Sequence, residues 1–145
     1  MKPARPDSTP QKILDAAEQC FAAHGYDGTT LREIAIQVGI REPSLYAHFP
    51  NKDAIYGAVI DRALQPFMHE MQQWNRSELT LRELVDIPRK MLQLHAQHPH
   101  AAQILHREFS LPADGISPQI LAWLHAFAEQ SRVLMSGLPE NQAHA

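Results

Sequence analysis

Residues 30–54 read TLREIAIQVGIREPSLYAHFPNKDA, and this stretch decides the fold. It opens on Thr30, three residues ahead of Glu33. At that spacing the threonine hydroxyl can accept the Glu33 N–H while the carboxylate reaches back to the Thr30 N–H, so a helix starts here. Leu31, Ile34, Ala35 and Val38 then fall at i, i+3, i+4 and i+7, the positions of one helical face. Gly39 can take the positive φ that ends the helix. A second short helix, Glu42 to about Phe49, carries Pro43 in its first turn, where a missing N–H is tolerated. Ala35 is small enough for the two helices to approach, and Leu45 can fill the angle between them. This small–glycine–apolar spacing is what a helix-turn-helix requires. In such a unit the second helix enters the major groove and the first lies across the backbone of the duplex.

Working outward, the texture stays helical. Ser8 or Thr9 can cap a first helix, with Pro10 at a position that needs no N–H. Ile13, Ala17, Cys20, Phe21 and His24 lie near one face of it, and Gly25 suits a left-handed stop. Asn51 is placed to cap a fourth helix running toward Trp74, and Thr80-x-x-Glu83 is a second capping box, opening a fifth. Pro66 and Pro88 fall inside these stretches and should kink or divide them. Pro99 opens a sixth helix ending near Phe109, SLPADGIS reads as a loop, and Ser117 with Pro118 opens a seventh that runs to about Ser136, before Gly137. The expected fold class is all-α, with no sheet.

Composition agrees. The 145 residues hold 19 Ala and 15 Leu against 18 Ile, Val and Thr together, a balance that favours helix. The single Cys20 excludes an internal disulfide framework and a cysteine-rich zinc site. No apolar run approaches the roughly 18 residues that span a bilayer, and MKPARPDS has no apolar core of a secretory signal. A cytoplasmic setting, with no membrane partner, is the expectation. The formal charge of −3 removes a global basic footprint, so any contact with nucleic acid must be local.

The segments ILDAAEQCFAAHGYDGTT (residues 13–30) and LYAHFPNKDAI (residues 45–55), with the helix-turn-helix between them, resemble the DNA-binding region of the tetracycline-repressor (TetR) family of bacterial transcription regulators. Residues 84–109 resemble the family's variable ligand-binding part more weakly. The resemblance implies a helix-turn-helix DNA-binding domain over residues 1–50 and a helical effector and dimerisation domain over 51–145. It also implies a homodimer on a palindromic DNA operator and release by a small-molecule effector, in which ligand shifts the fourth helix. Family members usually continue for two more helices that form the dimer interface. This chain reaches GLPENQAHA near where the first would begin, so those helices are expected to be missing.

Each position also has its own chemistry. Thr30 and the N–H groups of its helix start can hold a phosphate. Tyr46 and His48 end the recognition helix and can donate to backbone oxygens, while Lys52 sits at another helix start. In the family the matching Tyr, His and Lys contact phosphates, a role the resemblance carries to Tyr46, His48 and Lys52. Such contacts position the protein without reading sequence. Base reading then falls to Arg41, Glu42, Pro43 and Ser44: Arg suits guanine, Glu suits cytosine N4, and the proline ring suits a thymine methyl. Many members carry Ser or Thr where this chain has Arg41, which removes a cap and adds reach. Lys2 and Arg5 form a basic arm near the minor groove or in solvent.

Phe67, Met71, Trp74, Met91, Phe109, Trp123 and Phe127 recur at helical spacing and read first as core. The resemblance adds that such helices enclose an effector pocket, which places Phe67, Met71, Met91, His95, Phe109, Trp123 and Phe127 on its wall. His95, His98, His100 and His106 lack a completing carboxylate or cysteine, so no metal and no cofactor is expected. No nucleophile–base constellation is present, so the chain is not read as an enzyme. Two function classes stand: a transcriptional repressor, and a helical ligand-binding or interaction module of the same fold that has lost productive DNA binding.

Overall fold

A computed structural model describes residues 8–74 and 81–136. Among these residues every regular element is helical: α1 (Thr9–Gly28), α2 (Leu31–Val38), α3 (Glu42–Leu45), α4 (Lys52–Trp74), α5 (Leu81–Gln97), α6 (Pro99–Phe109), a 3-10 turn (Ala113–Gly115) and α7 (Pro118–Ser136). The Thr80 capping box, the basic arm and Gly137 lie outside the described residues, as do the side chains of Met71 and Trp74.

Hydrophobic periodicity explains the packing. Ile13, Ala17, Cys20 and Phe21 of α1 face Ile34 and Ala35 of α2, Leu45 of α3, and Ile55, Val59, Ile60 and Ala63 of α4 in one buried cluster. Ala101, Ile104 and Leu105 of α6 and Ile120 of α7 join the same cluster. α6 packs on α1 and α4, and α5 and α7 pack on α4, so α4 is the shared spine. Arg62 ties that spine to α1 through Asp15 (2.7 Å) and Glu18 (2.5 Å). Such half-exposed pairs contribute little individually, but they fix which face of α4 meets α1.

Several local expectations need correction. Ser8 occupies the cap position of α1, yet its hydroxyl makes no capping bond. Gly25 does interrupt the helix with a positive φ (75°, ψ −179°), as expected of a stop, and a further short helical turn beyond this kink ends at Gly28. His24 is exposed and does not belong to the buried face. α3 is shorter than its sequence pattern: it closes at Leu45, and the N–H groups of His48 and Phe49 both bond to the Leu45 carbonyl (2.9 Å each). Pro50 then disfavours helical backbone at Phe49. Pro66 and Pro88 lie within α4 and α5 without dividing them. Each removes one N–H from a helix long enough to retain its other bonds.

The Gly25 backbone is open only to glycine. A Cβ there would also stand 2.6 Å from Arg107 Nη1. Gly25→Ala is therefore expected to lower stability by about 1–3 kcal/mol. Urea unfolding is the measurement, with Gly57→Ala as the comparison, since Gly57 has ordinary helical backbone and its added methyl meets only the Gln119 amide. Equal stabilities for the two variants would contradict the strain at Gly25.

Candidate nucleic-acid interface

The helix-turn-helix is assembled as its residues require. The Thr30 hydroxyl accepts the Glu33 N–H (3.2 Å), and Glu33 Oε2 accepts both the Thr30 N–H (2.8 Å) and its hydroxyl (3.0 Å). Those two bonds from Thr30, backbone first, hold the Glu33 carboxyl below its ordinary range. Gly39 sits in the left-handed region (φ 78°, ψ 30°), and the N–H groups of Gly39 and Ile40 both return to the Ala35 carbonyl (3.0 Å each). Ala35 is 2% exposed and Leu45 1%, so the small residue and its plug meet as their spacing predicts.

With Leu45 buried, the rest of the α3 segment turns outward. Arg41, Pro43, Ser44 and His48 are exposed, Glu42 is half-buried, and Tyr46 is 53% exposed. Thr30 is exposed at the start of α2. Asn51 Oδ1 accepts the Ala54 N–H (2.8 Å) and so caps α4, which starts with the half-buried Lys52. Of the eight residues predicted to meet DNA, Thr30 caps α2, Arg41, Glu42, Pro43, Ser44, Tyr46 and His48 lie on α3 or its flanks, Lys52 opens α4, and none is buried. Phe49, half-buried against the core, anchors the loop between α3 and α4.

Lys52 has a partner that its sequence position does not reveal. Its Nζ lies 4.3 Å from the centre of the Tyr26 ring. Tyr26 donates its hydroxyl to Asp53, and chiefly for that reason its phenol is pushed up to about 12. Phe21, Tyr26 and Tyr56 form an aromatic set, with Phe21–Tyr56 and Tyr26–Tyr56 centroids 4.8 and 5.0 Å apart.

Six of the seven residues assigned to an effector pocket have described side chains. Phe67 is buried with the His95 ring 5.3 Å away, and Met91 is half-buried. Phe109, Trp123 and Phe127 form a row along α6 and α7, with successive centroids 5.7 and 5.6 Å apart; Phe109 and Phe127 are exposed. Of these six, Trp123 lines a groove of about 420 Å³ between α4 and α7. A larger cleft, about 850 Å³, lies elsewhere and is lined by none of them. Its walls are the end of α1 (His24–Asp27), the start of α4 (Asp53, Tyr56, Gly57), the end of α6 (Arg107, Glu108, Leu111) and the turn into α7 (Gly115–Gln119).

Glu108, 3% exposed, is the residue that sequence reasoning missed. It accepts the Tyr56 hydroxyl (2.5 Å) and the Ser117 N–H (3.0 Å). Burial, followed by this bond to Glu108, pushes the Tyr56 phenol well above its ordinary range. Beside it, Arg107 donates to the Phe21 carbonyl (3.2 Å). One signal was available: Ala101, Ile104, Leu105 and Glu108 fall at i, i+3, i+4 and i+7, so a carboxylate completes an otherwise apolar face.

Comparison with known proteins adds independent findings. The family model described as bacterial regulatory proteins, tetR family, matches residues 13–59. The HTH-type transcriptional regulator RutR of Escherichia coli K12 is 26% identical over 125 residues, 86% of this chain and 59% of RutR. The chain thus spans under two thirds of that relative's length. The HTH-type negative transcriptional regulator IcaR of the biofilm operon icaADBC in Staphylococcus aureus (strain Newman) is 53% identical over 45 residues, 31% of this chain and 24% of IcaR. Among solved structures, SmeT, the repressor of the Stenotrophomonas maltophilia multidrug efflux pump SmeDEF, aligns with a TM-score of 0.73 at 22% identity over 90% of this chain and 63% of SmeT. FadR of Bacillus subtilis, solved with stearoyl-CoA, aligns at 0.66 with 22% identity, over 90% of this chain and 74% of FadR.

Proposed function

We propose, from the premise that this chain belongs to the tetR family of bacterial regulatory proteins, that it is a sequence-specific DNA-binding repressor of transcription. The observation that supports the reading is that Arg41, Pro43, Ser44, Tyr46 and His48, which flank the buried Leu45 in sequence, are all exposed. Repression is favoured because IcaR and SmeT are described as a negative regulator and a repressor. Thr30, Tyr46, His48 and Lys52 grip phosphates, and Arg41, Glu42, Pro43 and Ser44 read base edges. Residues 1–50 form the DNA-binding part, and residues 51–145 receive a small-molecule effector. Two copies bind a palindrome, because one helix-turn-helix buries too little DNA for high specificity and two read half-sites about 34–36 Å apart. The protein works in the cytoplasm and catalyses no reaction. No described helix is long and apolar enough to cross a membrane.

Lys52→Ala tests the phosphate role. Affinity is expected to fall similarly on every duplex, and the slope of log K against log salt to shrink by about 1, as one phosphate contact is lost. Fluorescence anisotropy over a salt series reads both. Unchanged affinity and slope would remove Lys52 from the interface. The net charge of −3 favours a second reading, a helical module of this fold that no longer binds DNA. Selection from random duplexes, with mass measured in solution, separates the two: an enriched palindrome supports the repressor, and a dimer that enriches nothing supports the module.

A further inference from the structure

We infer that the cleft between the end of α1, the start of α4 and the turn into α7 is a binding site for a small organic cation, an ammonium carried on a flat apolar body. Three observations carry this. The first is size: about 850 Å³ lies in the ordinary range of small-molecule sites. The second is charge. Asp27, Asp53 and Glu108 line the cleft, against two cations: Arg107, whose Nη1 already donates to the Phe21 carbonyl, and Lys52, whose Nζ lies over the Tyr26 ring. The balance is that of a site for a positive ligand. The third is that this wall already holds an ammonium: Lys52 Nζ rests over the Tyr26 ring, whose hydroxyl is bound to Asp53. A ring face beside a carboxylate is a recognised seat for such a group.

The remaining lining suits the ligand's body. Leu111, Ile116 and Pro118 supply apolar surface, and Tyr26 and Tyr56 add aromatic rings to the lining. Because the walls come from both the DNA-facing helices and α6–α7, a seated cation would favour one arrangement of the two, and its ammonium would share Asp53 and Tyr26 with Lys52. That regulatory consequence rests on the proposed repressor reading; binding itself does not.

The test therefore measures binding without DNA. Benzylammonium is titrated into the full ¹⁵N-labelled chain, with benzyl alcohol as the uncharged analogue of nearly equal shape and benzoate as the anion. The expected result is saturable shifts of the Gly25, Gly57 and Gly115 amides with benzylammonium, at an affinity about tenfold or more above that of benzyl alcohol, and none with benzoate. Asp27→Asn and Asp53→Asn should each weaken binding severalfold, while Asp86→Asn, whose carboxylate pairs with Arg89, should not. Asp27 is exposed, so its variant keeps the test sound if Asp53→Asn disturbs the Tyr26 contact. No saturable shift, equal affinity for the alcohol, shifts centred on Trp123 and Phe127, or an Asp27→Asn variant that binds as well as the parent would overturn the site. Failure of DNA binding alone would leave these titrations unaltered, so the two readings fail separately.

Discussion

Phe21→Ala is expected to lower folding stability by about 3–5 kcal/mol, the range for deleting a buried aromatic ring from a core that relaxes only in part. Phe21 is 1% exposed and lies at the meeting of α1, α4 and α6. Its ring meets Tyr56 edge-on at 4.8 Å and stacks on Tyr26 at 6.2 Å. Removing it therefore loses transfer energy and aromatic contacts, and leaves a cavity beneath the α1–α6 junction. Against a typical total of about 5–15 kcal/mol, such a loss is a large share. Urea unfolding should show a much lower midpoint with a nearly constant slope. A shift equivalent to less than about 1 kcal/mol would mean that Tyr26 and Tyr56 close over the space, and that the ring does not hold the junction.

Leu45→Ala should lower stability by about 2–5 kcal/mol and, on the proposed reading, abolish measurable DNA binding. Leu45 is the single buried residue of α3, a helix of four residues with no other anchor in the core. A segment that short has little helical stability of its own and relies on tertiary packing. Without the plug, the edge bearing Arg41, Pro43, Ser44, Tyr46 and His48 loses its fixed orientation. The contrast with Lys52→Ala is diagnostic. That variant removes a half-buried ammonium and its contact with the Tyr26 ring, should lower stability by about 1 kcal/mol, well short of the Leu45→Ala loss, and weakens DNA binding. Paired unfolding and anisotropy curves separate the two effects. A Leu45→Ala protein with parental stability and affinity would show that α3 is held by its turns and not by its plug.

The two substitutions act at opposite ends of one connected core. Leu45 holds the outward edge against α1 and α2. Phe21 holds α1 against α4 beneath the place where Arg107 and Glu108 arrive from α6. Glu108 joins α4 to the start of α7 through Tyr56 and Ser117, so the DNA-facing helices and α6–α7 share a buried polar clasp as well as apolar surface.

Much of the helical order is local, and the sequence by itself determined it. The Thr30–Glu33 box, the left-handed Gly39, the Asn51 cap and the limits of α6 at Pro99 and Phe109 all follow from residues within four positions of one another. The Ala35–Gly39–Leu45 spacing likewise specified which residues turn inward and which outward in the helix-turn-helix. Where local rules compete, the pattern runs past the structure: the sequence reading extends α3 to about Phe49, whereas the two N–H bonds to the Leu45 carbonyl and the following Pro50 close it early. What only the tertiary structure decided is every relation between distant segments. An aromatic row at helical spacing looks the same whether it encloses a pocket or lies on the surface, because periodicity names a face and not what covers it. The cleft of Tyr26, Asp53, Tyr56 and Glu108 joins residues up to 82 positions apart in number, with hydrogen bonds spanning 27 and 52. Nothing in local backbone preference encodes such a meeting; it arises when α6 packs across α1 and α4 and brings a carboxylate to the end of an otherwise apolar face.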